Sequence, residues 1–312
     1  MKVFVTGATG VIGRRVVPLL RAAGHEVTGV GRSTAARDRI ARQGANALPV
    51  DLFDPAAVRG AVAGHDAVIN LATHIPGSSA SMFMPWMWRE NDRLRKQGSA
   101  TLVDACLAES VGRYVQESFA PVYPDNGDHW IDELAPLNPV RYNRTILDAE
   151  SSAQRFARGG GTHVILRFGG FYGPDAIQTR DLVSLVRRGW APLPGPAAAY
   201  ISSVSHDDAA TAVVAALSLR GGAYNVVDDE PLTHAGFVGS LAKLLGAAPP
   251  RLPPAGIEAL LGSLGRMLAR SLRISNRKLR ESSDWRPKFP SVRDGWPDVI
   301  AALRDADERA AA

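Results

Sequence analysis

Up to Phe168 the chain alternates short apolar runs with stretches of helical spacing. Lys2–Thr6 (KVFVT) is apolar and β-branched after its lysine, which predicts a buried strand. Val11–Ala23 then repeats apolar residues at the three-and-four spacing of an amphipathic helix. His25–Val30 (HEVTGV) predicts a second strand, Thr34–Gln43 a polar helix and Ala45–Val50 a third strand. An Asp-Pro pair opens the helix predicted over Asp54–Ala63, and Ala67–Leu71 (AVINL) is the fourth strand. A long helix over Glu90–Ser110, a strand at Tyr114–Glu117, a helix over Arg141–Arg158 and a strand at Thr162–Phe168 follow. Continuous apolar strands separated by helices belong to a parallel sheet covered on both faces. The expected fold is α/β, a Rossmann-type doubly wound parallel sheet.

Beyond Pro174 proline and glycine cluster, as GWAPLPGP at 189–196 and PPRLPP at 249–254. The expected organisation is a dinucleotide-binding domain over 1–173 and a smaller substrate lobe over 174–312. Some elements, such as Ala223–Val227, are expected to return to the main sheet. The lobe should cap the C-terminal edge of the sheet, where open α/β folds bind ligands.

Composition narrows the classes further. With 46% apolar and 21% charged residues the chain can bury a sizeable core, which sets aside disorder and fibrous folds. A single cysteine, Cys106, excludes a disulfide framework and a cysteine-based zinc site, and its apolar helical setting predicts inert core. No stretch approaches the ~18 apolar residues of a membrane span. The N-terminus lacks the long apolar region of a signal peptide, so a cytoplasmic setting is expected. The net charge of +5 raises nucleic acid as a partner, but 31 of the 36 basic residues are scattered arginines. Without a binding motif or an aromatic platform they predict no nucleic-acid partner.

The most informative motif is Thr6-Gly7-Ala8-Thr9-Gly10-Val11-Ile12-Gly13, which leaves the first strand and enters the first helix. Gly7 permits the tight turn, Gly10 lets the backbone approach a pyrophosphate, and Gly13 lets the helix pack closely on the strand. The helix N-terminus adds free N–H groups and positive partial charge. Thr9, Val11 and Ile12 share that turn. An acidic residue after the second strand would bind the ribose of NAD; Gly31-Arg32-Ser33 stands there instead. The Arg32 guanidinium can hold a 2′-phosphate and Ser33 can add a hydroxyl, so NADP(H) is expected over NAD(H). Asp51 and Leu52 are placed at the adenine. Leu71, Ala72, Thr73 and Phe168 are placed beside the cofactor.

These residues, with Ser118…Val122-Tyr123, Arg167…Tyr172-Gly173-Pro174, Val204–Ala209, Tyr224-Asn225-Val226, Arg273–Asn276 and Asp284–Pro287, resemble the extended short-chain dehydrogenase/reductase superfamily of the NAD-dependent epimerase/dehydratase type. The resemblance implies a Tyr-x-x-x-Lys pair and a Ser or Thr hydroxyl. Tyr142 matches the tyrosine, and Glu150 the acidic residue that commonly follows it. Ile146, however, stands at the lysine and Phe119 at the hydroxyl, with Ser118 one residue earlier. The chain thus resembles atypical members that lack the full catalytic set. A tyrosine without its cation can donate a proton but is a poor base. The expected activity is an NADPH-dependent oxidoreductase on a small carbonyl or sugar-like substrate, with Tyr142, Ser118 and His74 as catalytic candidates. A non-catalytic NADP(H)-binding or regulatory protein, or a non-redox epimerase, dehydratase or lyase, remains open. The family's dimer helices match 90–110, which carries Arg93, Arg95 and Lys96, and 141–158, so a homodimer is expected.

Three other segments carry possible chemistry. Asp125, Asp128 and His129 could supply a substitute acid or base, or be a polar loop capped by Trp130. Met82–Trp88 (MFMPWMW) could line an apolar pocket or pack as core. His206-Asp207-Asp208 lacks a third ligand at metal spacing, so no metal is expected.

Overall fold

The computed structural model describes residues 1–254 and 256–311, leaving aside the side chains of 310 and 311. Its strands are β1 (Lys2–Thr6), β2 (Glu26–Val30), β3 (Asn46–Leu48), β4 (Ala67–Asn70), β5 (Arg113–Phe119), β6 (Trp130–Ile131), β7 (Thr162–Phe168), β8 (Gly170–Tyr172), β9 (Tyr200–Ile201), β10 (Ser203–Ser205), β11 (Gly222–Val226), β12 (Leu232–Thr233) and β13 (Arg273–Ile274). Seven of them form one parallel sheet in the order β11-β7-β5-β4-β1-β2-β3. The order reverses between β1 and β4, which opens a ligand crevice at the carboxyl ends of those strands.

The helices are α1 (Gly13–Ala22), α2 (Thr34–Arg42), α3 (Pro55–Val62), α4 (Arg89–Arg93), α5 (Ser99–Ala108), α6 (Ile146–Arg158), α7 (Ile177–Arg187), α8 (His206–Ala215), α9 (His234–Leu245), α10 (Ile257–Leu260), α11 (Gly262–Leu268), α12 (Arg277–Ser282) and α13 (Val292–Ala311). On one face of the sheet, Val16 and Val17 of α1 and Ala209 and Val213 of α8 cover Val5, Ile69, Val115 and Leu166. On the other, Val58, Leu102, Cys106 and Phe156 from α3, α5 and α6 cover Phe4, Val68, Tyr114 and Ile165. Both layers are fully buried, and each such side chain is worth about 1.5–3 kcal/mol against exposure. Cys106 is indeed core.

Local chemistry explains the ends of several elements. Asp54 caps α3 by accepting from the N–H groups of Ala56 and Ala57, as the Asp-Pro start predicts. Pro18 inside α1 has no N–H to give to the Arg14 carbonyl. The Gln43 side chain donates to it instead, at 2.9 Å, so the helix continues through the proline.

Two predicted helices need correction. The long helix over Glu90–Ser110 begins at Arg89 and is interrupted by a π-helical turn, Leu94–Gly98, between α4 and α5. The helix predicted from Arg141 starts as a 3-10 turn at Arg141–Asn143, with α6 proper beginning at Ile146. The cause is tertiary: the buried Asn143 amide donates to the Pro121 carbonyl, and Thr145 Oγ1 donates to Asp92, so both side chains hold the entry of α6 against segments distant in sequence.

Residues after Pro174 contribute to both units. β11 joins the main sheet beside β7, and α8 packs on α1. A separate core forms from Leu182, Val183, Phe237, Leu241, Val299 and Ile300 around Trp296, whose ring lies 5.4 Å from Tyr172 and 5.5 Å from Phe237. Arg15 of α1 reaches both Asp175 and Asp207, tying the start of the first helix to this later part of the chain. Among the described residues no helix is long and apolar enough to cross a membrane.

Candidate active site

The glycine turn meets the demands of a dinucleotide cradle. Gly7 has φ +67°, and a Cβ there would lie 2.4 Å from the Leu71 carbonyl oxygen. Gly13 is required for a different reason than the sequence suggested. A Cβ at that position would strike the Gly7 carbonyl at 2.1 Å, so it clears the turn itself rather than the strand. Among the described residues the N–H groups of Val11 and Ile12 have no acceptor, and α1 has neither a side-chain cap nor an acidic residue in its first turn. Free donors at the positive end of a helix fit a pyrophosphate. Thr9, Val11 and Ile12 are half-exposed along this turn, and Gly10 is open.

The adenosine end follows β2. Arg32 and Ser33 are exposed, and Ser33 Oγ is used as the N-cap of α2, accepting from Ala36 N–H at 3.2 Å. A second guanidinium arrives from α2. Arg37 Nη1 donates to the carbonyls of Gly31 and Arg32 at 3.3 and 3.4 Å, and Nη2 donates to Thr34 Oγ1. Asp51 is exposed and accepts from the Phe53 N–H, and Leu52 is buried. At the end of β4 the buried Asn70 accepts from Thr6 Oγ1 at 2.6 Å and from the Ala72 N–H at 3.3 Å, which fixes the run Leu71, Ala72 and Thr73 beside the glycine turn.

At the opposite end the catalytic candidates separate. Ser118 is buried and donates to Glu150 Oε1 at 2.6 Å. Arg167 grips the same carboxylate in two places, Nε to Oε1 at 2.9 Å and Nη2 to Oε2 at 2.7 Å. Its Nη1 donates to the Tyr123 hydroxyl at 2.8 Å, and that hydroxyl donates to Asn225 Oδ1 at 2.9 Å. The Ser118 hydroxyl is thus committed to a buried network. Strand alternation turns it away from the face of β5 that carries Glu117 and Phe119. His74 is exposed; its backbone N–H donates to Asn91 Oδ1 at 3.0 Å, and its ring makes no hydrogen bond among the described residues. Phe168 is buried, 5.3 Å from the Phe171 ring.

Tyr142 is half-buried in the 3-10 turn before α6, with its ring edge-on to Trp88 at 4.6 Å. Burial pushes its phenol well above the usual range, and the charge of Arg95 pulls the other way. Arg95 lies in the π turn and is 7% exposed, with Nη2 3.5 Å from Glu117 Oε1. Burial likewise raises the Glu117 carboxyl, against the pull of Arg95. Arg95 therefore points inward rather than sharing the outer helix face with Arg93 and Lys96.

The remaining segments resolve differently. Asp125 accepts from the N–H groups of Ser271 and Gly127, and Trp130 stacks beneath Arg273 at 4.4 Å. Asp128 and His129 are exposed. The loop is knitted to β13 rather than aimed at Tyr142. Met82–Trp88 forms two 3-10 turns with Trp88 buried and Phe83, Met84, Trp86 and Met87 exposed. Among the described residues no cluster of His, Cys, Asp and Glu could hold a metal ion.

Comparison with known proteins decides the family, because the model of the NAD dependent epimerase/dehydratase family matches residues 3–226. The chain belongs to that family. A 3-diazoavenalumate denitrifying reductase of Streptomyces sp is 33% identical over 306 residues, covering 95% of this chain and 99% of the relative. A 2-alkyl-3-oxoalkanoate reductase of Shewanella oneidensis is 28% identical, covering 88% and 73%. Among solved structures, a UDP-glucose 4-epimerase of Thermotoga maritima with UDP-glucose superposes with a TM-score of 0.80 at 20% identity, covering 98% of this chain and 99% of that one. A Thermus thermophilus UDP-glucose 4-epimerase with NAD gives 0.77 at 26% identity, covering 97% and 99%.

Sequence reasoning about this epimerase/dehydratase chain missed Arg37, Arg95 and Glu117. Arg95 carried a signal. Asn91, Arg95, Gly98 and Leu102 fall on one helical stripe whose other members are uncharged and buried, and a cation on such a stripe must meet a partner.

Proposed function

We propose that the protein is an NADPH-dependent reductase acting on a carbonyl of a small, largely apolar molecule, with Tyr142 as the proton donor. The carrying observation is that Tyr142 packs against Trp88 while a buried isoleucine, Ile146, stands where a lysine would ionise it; burial raises the phenol further. Such a phenol suits proton donation in the reductive direction and is a poor base for alcohol oxidation. When bound, the nicotinamide supplies the hydride. Val11 and Ile12 hold the pyrophosphate through their N–H groups, and Asn70 fixes the strand end beside it. The exposed Phe83, Met84, Trp86 and Met87, next to the Trp88 that touches Tyr142, favour an apolar substrate over a sugar nucleotide. The reductase names of two relatives support the same direction.

A second reading, a non-catalytic NADP(H)-binding protein, is favoured by the occupied catalytic positions: Phe119, Ile146 and the committed Ser118. NADPH consumption against a panel of 3-oxoacyl, aryl-aldehyde and sugar-nucleotide substrates separates the two. Turnover of the apolar carbonyls supports the reductase; tight NADPH binding without turnover supports the second reading.

Arg32, with Arg37 beside it, carries the preference for NADPH. In a titration NADPH binds more tightly than NADH, and Arg32→Ala costs about 1.5–3 kcal/mol toward NADPH only, as for a hydrogen bond to a charged group. Equal affinity of the parent protein for both cofactors refutes this.

We also propose a homodimer through the outer faces of α5 and α6, where Asp104 pairs with Arg155. A light-scattering mass of a single chain at tens of micromolar would rule it out.

A further inference from the structure

We propose that the groove between α7 and α13 binds a phosphate-bearing polyanion at a site separate from the dinucleotide cleft. A cavity of about 390 Å³ lies there, within the range of small-molecule pockets. Four guanidinium groups, those of Arg180, Arg187, Arg188 and Arg304, line it against one carboxylate, Asp307. None of its lining residues belongs to the glycine turn, to the strand ends beside that turn or to the turn of Tyr142. The site therefore stands whether or not the reductase reading holds.

The two helices bring these charges together from positions more than a hundred residues apart. α7 and α13 each pack against α9, and Val183 and Leu303, both buried in the core of the lobe, floor the cavity between them. On α7, Ser184 follows Arg180 by four residues, and Arg187 and Arg188 follow by seven and eight, the intervals that stack side chains along one helix face. On α13, Arg304 and Asp307 are three apart and are neighbours in the same way. Arg180 Nη1 meets Asp307 Oδ1 at 3.6 Å across the groove, so one small ligand can touch both helices. Both partners of that pair are exposed, and such a pair yields readily to a stronger anion.

The fold does not account for this concentration of charge. Among the described residues Arg187, Arg188 and Arg304 make no ion pair and no side-chain hydrogen bond, and Glu308, one turn beyond Arg304, does not pair with it. Asp181 on α7 is committed elsewhere, accepting from Ser79 Oγ at 2.5 Å. The dipole of α7 favours Arg187 and Arg188 at its end, but it disfavours Arg180 in its first turn and does not reach Arg304. Four cations against one carboxylate leave an excess of three positive charges, whose mutual repulsion an anion in the cavity would relieve. Guanidinium forks match phosphate oxygens two at a time, and the Ser184 hydroxyl adds a neutral donor.

The test is calorimetric titration of inorganic pyrophosphate into the full chain, with and without saturating NADPH. Pyrophosphate should bind in both cases. Arg187→Gln or Arg304→Gln should weaken that binding about tenfold or more, as for loss of a hydrogen bond to a charged group, while Arg309→Gln, on α13 outside the cavity, should leave it unchanged. Asp307→Asn frees Arg180 and removes the opposing charge, so it should tighten binding; Asp305→Asn, also outside the cavity, should not. All these side chains are exposed, so the variants should fold as the parent does. Fructose 1,6-bisphosphate, titrated in parallel, tells an organic from an inorganic phosphate by which binds more tightly, and an Arg304-dependent Kd for either supports the site. Absence of pyrophosphate binding overturns the proposal, as does an equal loss from Arg309→Gln and Arg304→Gln. A Kd that answers to Arg32→Ala but not to Arg304→Gln also overturns it, by placing pyrophosphate in the dinucleotide cleft. Citrate binding as tightly as pyrophosphate overturns the choice of phosphate.

Discussion

Arg167→Ala should cost about 3–5 kcal/mol of folding stability, the range for breaking a buried ion pair by removing one partner. The side chains of Arg167 and Glu150 are 6% and 3% exposed, so neither charge can turn to water when the other is gone. The substitution strands the Glu150 carboxylate with the Ser118 hydroxyl as its remaining partner and frees the Tyr123 hydroxyl from its donor. The network joins β5, α6, β7 and β11, so its loss loosens the sheet where the lobe begins. Denaturant unfolding measures the effect, and an unfolding free energy within about 1 kcal/mol of the parent contradicts it. Replacing Ser118 by alanine removes one hydrogen bond to a charged acceptor and should cost no more than about 1.5–3 kcal/mol. It should leave turnover intact, since the hydroxyl belongs to this network and not to the cleft.

Tyr142→Phe should lower kcat of the reductase by about 10²–10⁴, the usual worth of a positioned proton donor. A donor works while protonated, and its contribution is lost as pH rises through its midpoint. Burial places that midpoint well above the ordinary phenol, so the rate should show no Tyr142-dependent fall through neutral and mildly alkaline pH. A loss smaller than tenfold would hand the proton to His74 or to water. Restoring a lysine with Ile146→Lys should not by itself create alcohol oxidation, because Phe119 still stands where the family's Ser or Thr hydroxyl would position the substrate. Brisk NADP⁺-dependent oxidation by the unmodified protein would require an ionised base other than Tyr142.

What could be read from the sequence was what depends on neighbours along the chain. The glycine turn is dictated by contacts a few residues apart, and the apolar strands reveal themselves by composition, so the sheet and the cradle were legible. The start of α6 was not, because Asn143 and Thr145 take their partners, Pro121 and Asp92, from distant segments. Ser118 was a reasonable catalytic candidate from its position after β5. Its true partner, Glu150, lies thirty-two residues on and is itself selected by Arg167. Arg95 was grouped with Arg93 and Lys96 on the expected dimer surface although the rest of its helical stripe is uncharged, and the π turn that accompanies its inward setting leaves no composition signal.

That π turn divides one continuous helix into two parts with independent phase. α5 is locked to the sheet by Leu102, Val103 and Cys106, and α4 carries Asn91, which holds the backbone at His74, and Asp92, which holds Thr145. Deleting one residue between Leu94 and Gly98 would rotate α4 by about 100° relative to α5 and break those contacts, while leaving the sheet-facing seam of α5 unchanged. The contacts to His74 and Thr145 and the packing on the sheet are thereby assigned to separate halves of the same rod, so the first half can change its contacts without asking the core to repack.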